Sequence, residues 1–194
     1  INKKKYKVKK YLDIGCGDCI KTKMIGNGIG LEDKDIWGAD IPSWGDYLVK
    51  KRIKVPINIV NLHNSYSILP FTDSKFNLIT AFMVLHHIHK LDVFLTEINR
   101  VTKLGGYFVI KEHDAFTNID YMLIDIQHAL YGIVQRDEVN YRQQYFAKYY
   151  NWVEWDIIIQ NYGFQYVQGN YDSNSIYYDI QPTRYYYTIY KKIK

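Results

Sequence analysis

The sequence contains little of what builds a disulfide framework, a zinc finger or a membrane span. Its 194 residues include two cysteines, Cys16 and Cys19, with no second cysteine pair and no histidine cluster to complete a zinc site. We therefore expect no metal site and no disulfide scaffold, and a reducing, cytoplasmic environment. No apolar run approaches the roughly 20 residues of a membrane span. No signal peptide is recognisable, and membrane contact is not expected.

Acidic residues are absent from the first ten and the last four residues, which together hold nine lysines. These ends account for the net charge of +5, because 25 basic residues minus nine leaves 16 against 20 acidic ones. A nucleic-acid groove usually places its basic residues on the folded surface. A small molecule is therefore the favoured partner, and RNA is the second choice. Residue 1 is isoleucine, which favours a domain of a larger protein.

Short apolar runs alternate with helical patterns along the chain. Strands are predicted over residues 8–14, 36–40, 57–62, 76–82 and 107–111, and helices over residues 21–25, 44–51, 93–102 and 118–133. Gly105 and Gly106 are expected to end the third helix. Repeated strand–helix units predict an α/β fold, a doubly wound, Rossmann-like and mostly parallel sheet. Asn151 and Glu154 form a predicted capping box at the start of a further helix, which is expected to end at Gly163. Residues 164–171 and 184–190 then predict an antiparallel C-terminal edge pair of strands.

A glycine turn follows the first predicted strand. It reads Asp13-Ile14-Gly15-Cys16-Gly17-Asp18, and its glycines let the backbone turn sharply and pass close to a ligand. Asp40 ends the second predicted strand, where an acid can accept hydrogen bonds from ribose hydroxyls. In open α/β sheets, ligands bind at the carboxyl ends of the strands. The pattern therefore predicts a nucleotide-like ligand at this edge.

Several stretches resemble the motifs of class I S-adenosylmethionine (SAM)-dependent methyltransferases, in the order of their type-11 branch. They are YLDIGCGD at residues 11–18, WGAD at 37–40, LPFTDSKFN at 69–77, LHHI at 85–88 and EINRVTKLGG at 97–106. The sequence departs from the pattern in three places. Cys19 stands at the third glycine, Ser65 at the acid that often contacts adenine, and Leu104 at a proline.

The resemblance implies one SAM-dependent methyltransferase domain over residues 1–194, with SAM as cofactor. The SAM contacts that it implies are Asp13, Gly15, Cys16, Gly17, Asp40, Ile41, Ser65 and Phe82. Residues 114–150 exceed what a sheet crossover needs. We expect this segment to form a lid on the substrate side, or to pack under the sheet.

Candidate bases follow the fourth and fifth predicted strands, where the methyl acceptor should lie. His113 and Asp114 come directly after the fifth strand, and His113 with a pKa near ~6.5 would suit proton removal from an acceptor hydroxyl. The competing interpretation is that the pair fixes the next loop. His86 and His87 follow strand four, and His87, which matches a histidine of the family, is expected to brace that loop. His128 lies on the polar side of a predicted helix with Asp125 and Tyr131. That side is expected either to face solvent or to form the wall of a pocket.

Three other functions stay open at this stage. An RNA cap guanine-N7 methyltransferase domain of a larger capping protein is favoured by the lysine-rich start and opposed by the acidic core. An inactive methyltransferase-fold binding subunit would have no chemical need for Asp13, Gly15, Gly17 and Asp40. A NAD-dependent dehydrogenase would continue its glycine fingerprint to position 20, which is Ile20 here.

Overall fold

The computed structural model of the chain describes residues 7–41, 54–62, 68–134, 146–171 and 183–194. The helix predicted over residues 44–51, and Ser65, lie outside the described residues. Among the described helices, none is long and apolar enough to cross a membrane.

The described residues form one seven-stranded sheet. Its strands are β1 (Tyr11–Ile14), β2 (Ile36–Asp40), β3 (Asn58–Asn61), β4 (Phe76–Phe82), β5 (Thr102–His113), β6 (Phe164–Tyr171) and β7 (Tyr185–Lys192). Their order across the sheet is β3-β2-β1-β4-β5-β7-β6. Strands β1 to β5 pair in parallel, whereas β7 pairs antiparallel with both β5 and β6. The predicted fold class, with its antiparallel C-terminal pair, is confirmed.

Four α-helices connect the strands within the described residues. They are α1 (Ile20–Gly28), α2 (Leu91–Val101), α3 (Asn118–Val134) and α4 (Trp152–Gln160), joined by short 3-10 turns at Asp33–Asp35 and Leu85–His87. The predicted capping box of α4 is confirmed: Asn151 Oδ1 accepts from the amides of Val153 and Glu154 at 3.0 Å, and Glu154 accepts from the Asn151 amide at 2.9 Å.

The junction of α2 and β5 differs from the prediction. Helix α2 ends at Val101, and Gly105 and Gly106 lie inside β5 instead of ending the helix. Thr102 is already extended and pairs with Phe76 of β4, while its hydroxyl donates to the Ile98 carbonyl at 2.5 Å. Pairing with β4 therefore starts the strand before the glycines are reached.

The hydrophobic core lies between one face of the central strands and helices α2 and α4. Its fully buried side chains include Leu12, Ile14, Ile79, Phe108 and Ile110 from the sheet, Phe94 and Ile98 from α2, and Trp155 and Ile159 from α4. Helix α3 is different, because the apolar face that its sequence predicts is largely exposed: Ile119, Met122, Ile126 and Leu130 are 49–65% accessible. The sheet and its packed helices leave the carboxyl ends of β1, β2, β4 and β5 at one edge.

Arg100 of α2 fixes the segment that leads into β4. Its guanidinium donates to the carbonyls of Leu69 and Phe71 and to the carboxylates of Asp73 and Glu97, with distances of 2.6–3.0 Å. All five N–H donors that an arginine offers are used in these contacts. The stretches LPFTDSKFN and EINRVTKLGG thus meet through one side chain.

Candidate active site

The turn after β1 has the backbone conformation that its glycines predict. Gly15 and Gly17 take positive φ angles of 70° and 55°. A Cβ on Gly15 would overlap a Val84 methyl, whereas no atom of the described residues lies within 4 Å of a Cβ position on Gly17. Gly15 is therefore required by its φ angle and by packing, and Gly17 borders open space at the sheet edge.

Asp40 closes the other side of that space. It is 5% exposed. Its Oδ2 accepts from the Gly17 amide at 2.7 Å and its Oδ1 accepts from the Ile41 amide at 2.8 Å. These two contacts fix the orientation of the carboxylate at the sheet edge. The open side of Gly17 and the carboxylate of Asp40 together fit a ligand that carries ribose hydroxyls.

Asp13 lies beneath the turn. Its two carboxylate oxygens accept hydrogen bonds from the hydroxyls of Thr22 and Thr80, both at 2.5 Å. Burial raises the pKa of Asp13 to about 6, against the opposing effect of the two threonines. Asp13 thus connects β1 to α1 and β4 and holds the glycine turn in place.

The two cysteines stand on the same turn. Cys19 takes a φ angle of 63°, the conformation that a third glycine would adopt easily, so the departure from the motif leaves the turn intact. Its Sγ lies 2.9 Å from that of Cys16, and both sulfurs pack against Gly38 of β2. The thiols are buried, and neither forms a disulfide.

Phe82 ends β4 on the other side of the turn. It is half-buried, and its ring meets Tyr187 edge to face at 6.0 Å between centroids. The next residue, Met83, has a φ angle of 60° and donates its amide to the Lys111 carbonyl. Strained backbone of this kind concentrates at functional sites. Phe82 therefore lies at the edge where the resemblance implies a SAM contact.

His113 and Asp114 end β5, and both are 2% exposed. Asp114 Oδ1 accepts from the Trp152 amide at 2.9 Å, which ties the start of α4 to β5. Both ring nitrogens of His113 lack a hydrogen-bond partner among the described residues. Burial, followed by the neighbouring histidines, lowers the pKa of His113 to about 2, instead of the value near ~6.5 that its type suggests. The ring is neutral at neutral pH, and its role as a base stays a prediction.

A group of histidines that the sequence did not bring together lies beside His113. The potential ligand atoms of His86, His87 and His128 all lie within 4.8 Å of one another. His86 and His87 belong to the turn after β4, and His128 belongs to α3. His87 also braces the following chain, as predicted, through a 2.9 Å contact from Nδ1 to the Phe146 carbonyl. We call these three residues the histidine cluster.

Comparisons with known proteins agree with this architecture. A family model described as "Methyltransferase domain" matches residues 12–110, just over half of the chain. A demethylmenaquinone methyltransferase of Geobacillus stearothermophilus is 31% identical over 108 residues, which are 55% of this chain and 46% of that protein. The chain thus spans about half the length of the curated relatives it matches.

Two solved structures share the fold across nearly the whole chain. The methyltransferase in a complex with the Haloferax volcanii Trm112 activator gives a TM-score of 0.69 at 13% identity, covering 96% of this chain and 83% of that one. The YcgJ protein of Bacillus subtilis gives a TM-score of 0.64 at 16% identity, covering 97% and 93%. At these identities the likeness establishes the fold alone.

Proposed function

This chain belongs to the methyltransferase domain family, and we propose that it transfers the methyl group of SAM to a small-molecule acceptor. The observation that carries the proposal is the pairing of Gly17 and Asp40. The Gly17 amide donates to Asp40 at 2.7 Å, and none of the described residues fills the space beyond Gly17. A ribose can approach the backbone there and donate its hydroxyls to a fixed carboxylate.

The residues at the site supply orientation more than acid–base chemistry. Bound SAM provides a methyl group that is already activated on a sulfonium. The chain's task is to align the acceptor with that methyl group and to exclude water. Gly15 and Asp13 hold the turn on the cofactor side, and Phe82 and Met83 border the acceptor side.

A small acceptor is favoured by the relatives and by the charge of the chain. The curated relatives include demethylmenaquinone methyltransferases, whose name denotes a small-molecule acceptor. The basic surplus of this chain is confined to its ends. We further propose that residues 114–150 form the lid over the acceptor. In the described part of that segment, residue 148 donates its amide to the His86 carbonyl beside the end of β4.

Asp40→Asn tests the cofactor site. Loss of a charge-assisted hydrogen bond is worth about 1.5–3 kcal/mol, so affinity for SAM or its demethylated product should fall about 10–100-fold. Calorimetric titration measures both ligands. Asp35→Asn is the matched control, because Asp35 precedes β2 at the opposite end of that strand. Unchanged SAM affinity in a folded Asp40→Asn protein would contradict the proposal.

A further inference from the structure

The neutral forms of the clustered histidines are fixed by their Nδ1 atoms. His87 Nδ1 and His128 Nδ1 each lie 2.9 Å from a backbone carbonyl, of Phe146 and Ile124 respectively. Because a carbonyl can only accept, each Nδ1 carries the proton, and in a neutral ring the lone pair is then on Nε2. His86 Nδ1 lies 2.6 Å from Glu112 Oε2, and it donates in the same way when Glu112 is ionised.

Two of these lone pairs face each other. His86 Nε2 and His128 Nε2 are 3.2 Å apart. Two nitrogen lone pairs at that distance repel unless a proton or a cation lies between them. Zinc–imidazole bonds of 2.0–2.1 Å at a tetrahedral angle separate the two nitrogens by about 3.3 Å. The spacing therefore matches that of two ligands on one tetrahedral cation.

Glu112 supports the same interpretation from behind His86. It is fully buried, and its other oxygen accepts from the amides of Val84 and Leu85 at 3.1 and 2.7 Å. Among the ion pairs of the described residues, Glu112 has no lysine or arginine partner. Metal-bound histidines usually donate their second nitrogen to a carboxylate or a carbonyl. All three clustered histidines meet that condition.

His113 completes the surroundings. Its ring centroid lies 5.1 Å from that of His86 and 5.4 Å from that of His128. Within the described part of the chain, both of its nitrogens are buried without a hydrogen-bond partner, and buried polar atoms in folded proteins are normally hydrogen-bonded. A water bound to a cation in the cluster would offer one of them a donor.

We infer that His86, His87 and His128 bind a divalent transition-metal cation of the zinc class through their Nε2 atoms, with Glu112 orienting His86. The site joins the turn after β4 to α3, on the acceptor side of the sheet edge. Its three protein ligands leave a fourth position for water or for an acceptor atom. This inference does not depend on the proposed methyl transfer.

Zinc titration of the full chain tests the site after treatment with a chelator and desalting. We expect one equivalent to bind, and Co²⁺ to give the visible absorption of a tetrahedral nitrogen site. His87→Gln and His128→Gln should each weaken zinc binding at least ~100-fold, because a three-ligand site loses a bond. Glu112→Gln should weaken it about 10–100-fold through the orientation of His86.

His89→Ala is the matched control, since His89 is an exposed neighbour that stacks on Phe146 outside the cluster. It should leave zinc affinity within about twofold, as for a surface substitution away from the ligands. Circular dichroism identifies any variant that fails to fold, and zinc-dependent thermal stabilisation of the parent protein gives a second readout. Absence of saturable binding overturns the inference. So does binding that survives both glutamine substitutions, which would point to the thiols of Cys16 and Cys19.

Discussion

Asp13 and Asp40 are buried carboxylates on the neighbouring strands β1 and β2, and their hydrogen-bond donors give them different tasks. Asp40 receives backbone amides at the sheet edge, beside open space. Asp13 receives two threonine hydroxyls beneath the turn. Hydroxyl donors compensate a buried charge only in part, so burial still raises the pKa of Asp13 to about 6. Asp40 is therefore the proposed ligand contact, and Asp13 supports the glycine turn beside it.

The raised pKa of Asp13 predicts how Asp13→Asn responds to pH. A folded-state pKa of about 6 against 3.8 for the ordinary group means that the folded protein binds the proton more tightly. The stability from Asp13 is thus fully present below pH ~4 and is lost as the pH rises through ~6, about 3 kcal/mol in all. The asparagine side chain does not titrate over this pH range, so the variant lacks this pH-dependent contribution to stability. The stability advantage of the parent protein over Asp13→Asn should therefore shrink by about 2–3 kcal/mol between pH ~4.5 and ~7.5.

Urea unfolding across that pH range measures the difference. Asp92→Asn, at an exposed position on α2, serves as the control for the same chemical change. A difference between parent and Asp13→Asn that stays constant with pH would show that the carboxyl of Asp13 is not perturbed.

At the scale of elements, Arg100 is the contact that holds the chain before β4 against α2. Its planar fork reaches two carbonyls and two carboxylates from one position. Lysine carries three donors on a single point charge and cannot reproduce that geometry. The register of β4 at the acceptor edge therefore depends on a side chain that is remote from the ligand.

Arg100→Lys should lower the free energy of unfolding by about 2–3 kcal/mol, because hydrogen bonds to charged groups are worth about 1.5–3 kcal/mol and more than one is lost. Arg184→Lys is the matched control. Arg184 is exposed and its guanidinium lies over the Phe116 ring, so the change should stay within about 0.5 kcal/mol. Chemical denaturation compares the two, and equal losses would refute the role given to Arg100.

The sequence predicts the sheet better than it predicts the junctions between elements. Strands β2, β4 and β6 have the bounds that their apolar runs predict. Strand β1 begins at Tyr11, three residues later than predicted, because the amides of Lys9 and Lys10 donate to the Asn77 side chain instead of a neighbouring strand. Such a contact joins residues 67–68 positions apart, and local periodicity contains no trace of it.

The site shows the same division. Gly15, Gly17 and Asp40 are recognisable because a turn and a strand end place them locally, and the fold then brings the two strand ends together. The histidine cluster depends on His128 of α3 lying beside His86, 42 positions earlier. The periodicity of a helix does not predict which distant residues its side chains will lie beside. The position of His86 and His87 after a strand end is the signal that the sequence contains, and it predicts a bracing role for His87 without pointing to His128.

At the scale of the whole molecule, the basic charge is concentrated at the ends of the chain. Residues 3, 4, 5 and 7 are lysines, ahead of β1. Such a segment attracts any polyanion without reading its sequence. The lysine segment can therefore cause nonspecific RNA binding that is unrelated to the proposed small-molecule methyl acceptor.

Deletion of residues 1–7 separates the two acceptor classes. We expect the full chain to bind single-stranded RNA only weakly and with a steep salt dependence. The slope of log K against log salt should fall by up to about 3 after the deletion, at roughly 0.7 for each lysine–phosphate contact. Affinity for the demethylated product of SAM should not change. RNA binding that keeps its slope without residues 1–7 would instead favour the RNA cap alternative.

Strand β7 has a consequence for how the protein is made. It is the last strand in chain order, yet it lies between β5 and β6. It brings the buried Tyr186 and Tyr190 into the core, and Lys192 Nζ donates to the Asn99 and Thr102 carbonyls at the end of α2. Until the ribosome has released residue 192, a nascent chain presents the edge of β5 unpaired, and exposed edges invite aggregation. The sheet closes only after synthesis of β7, so the domain folds after translation of its final strand.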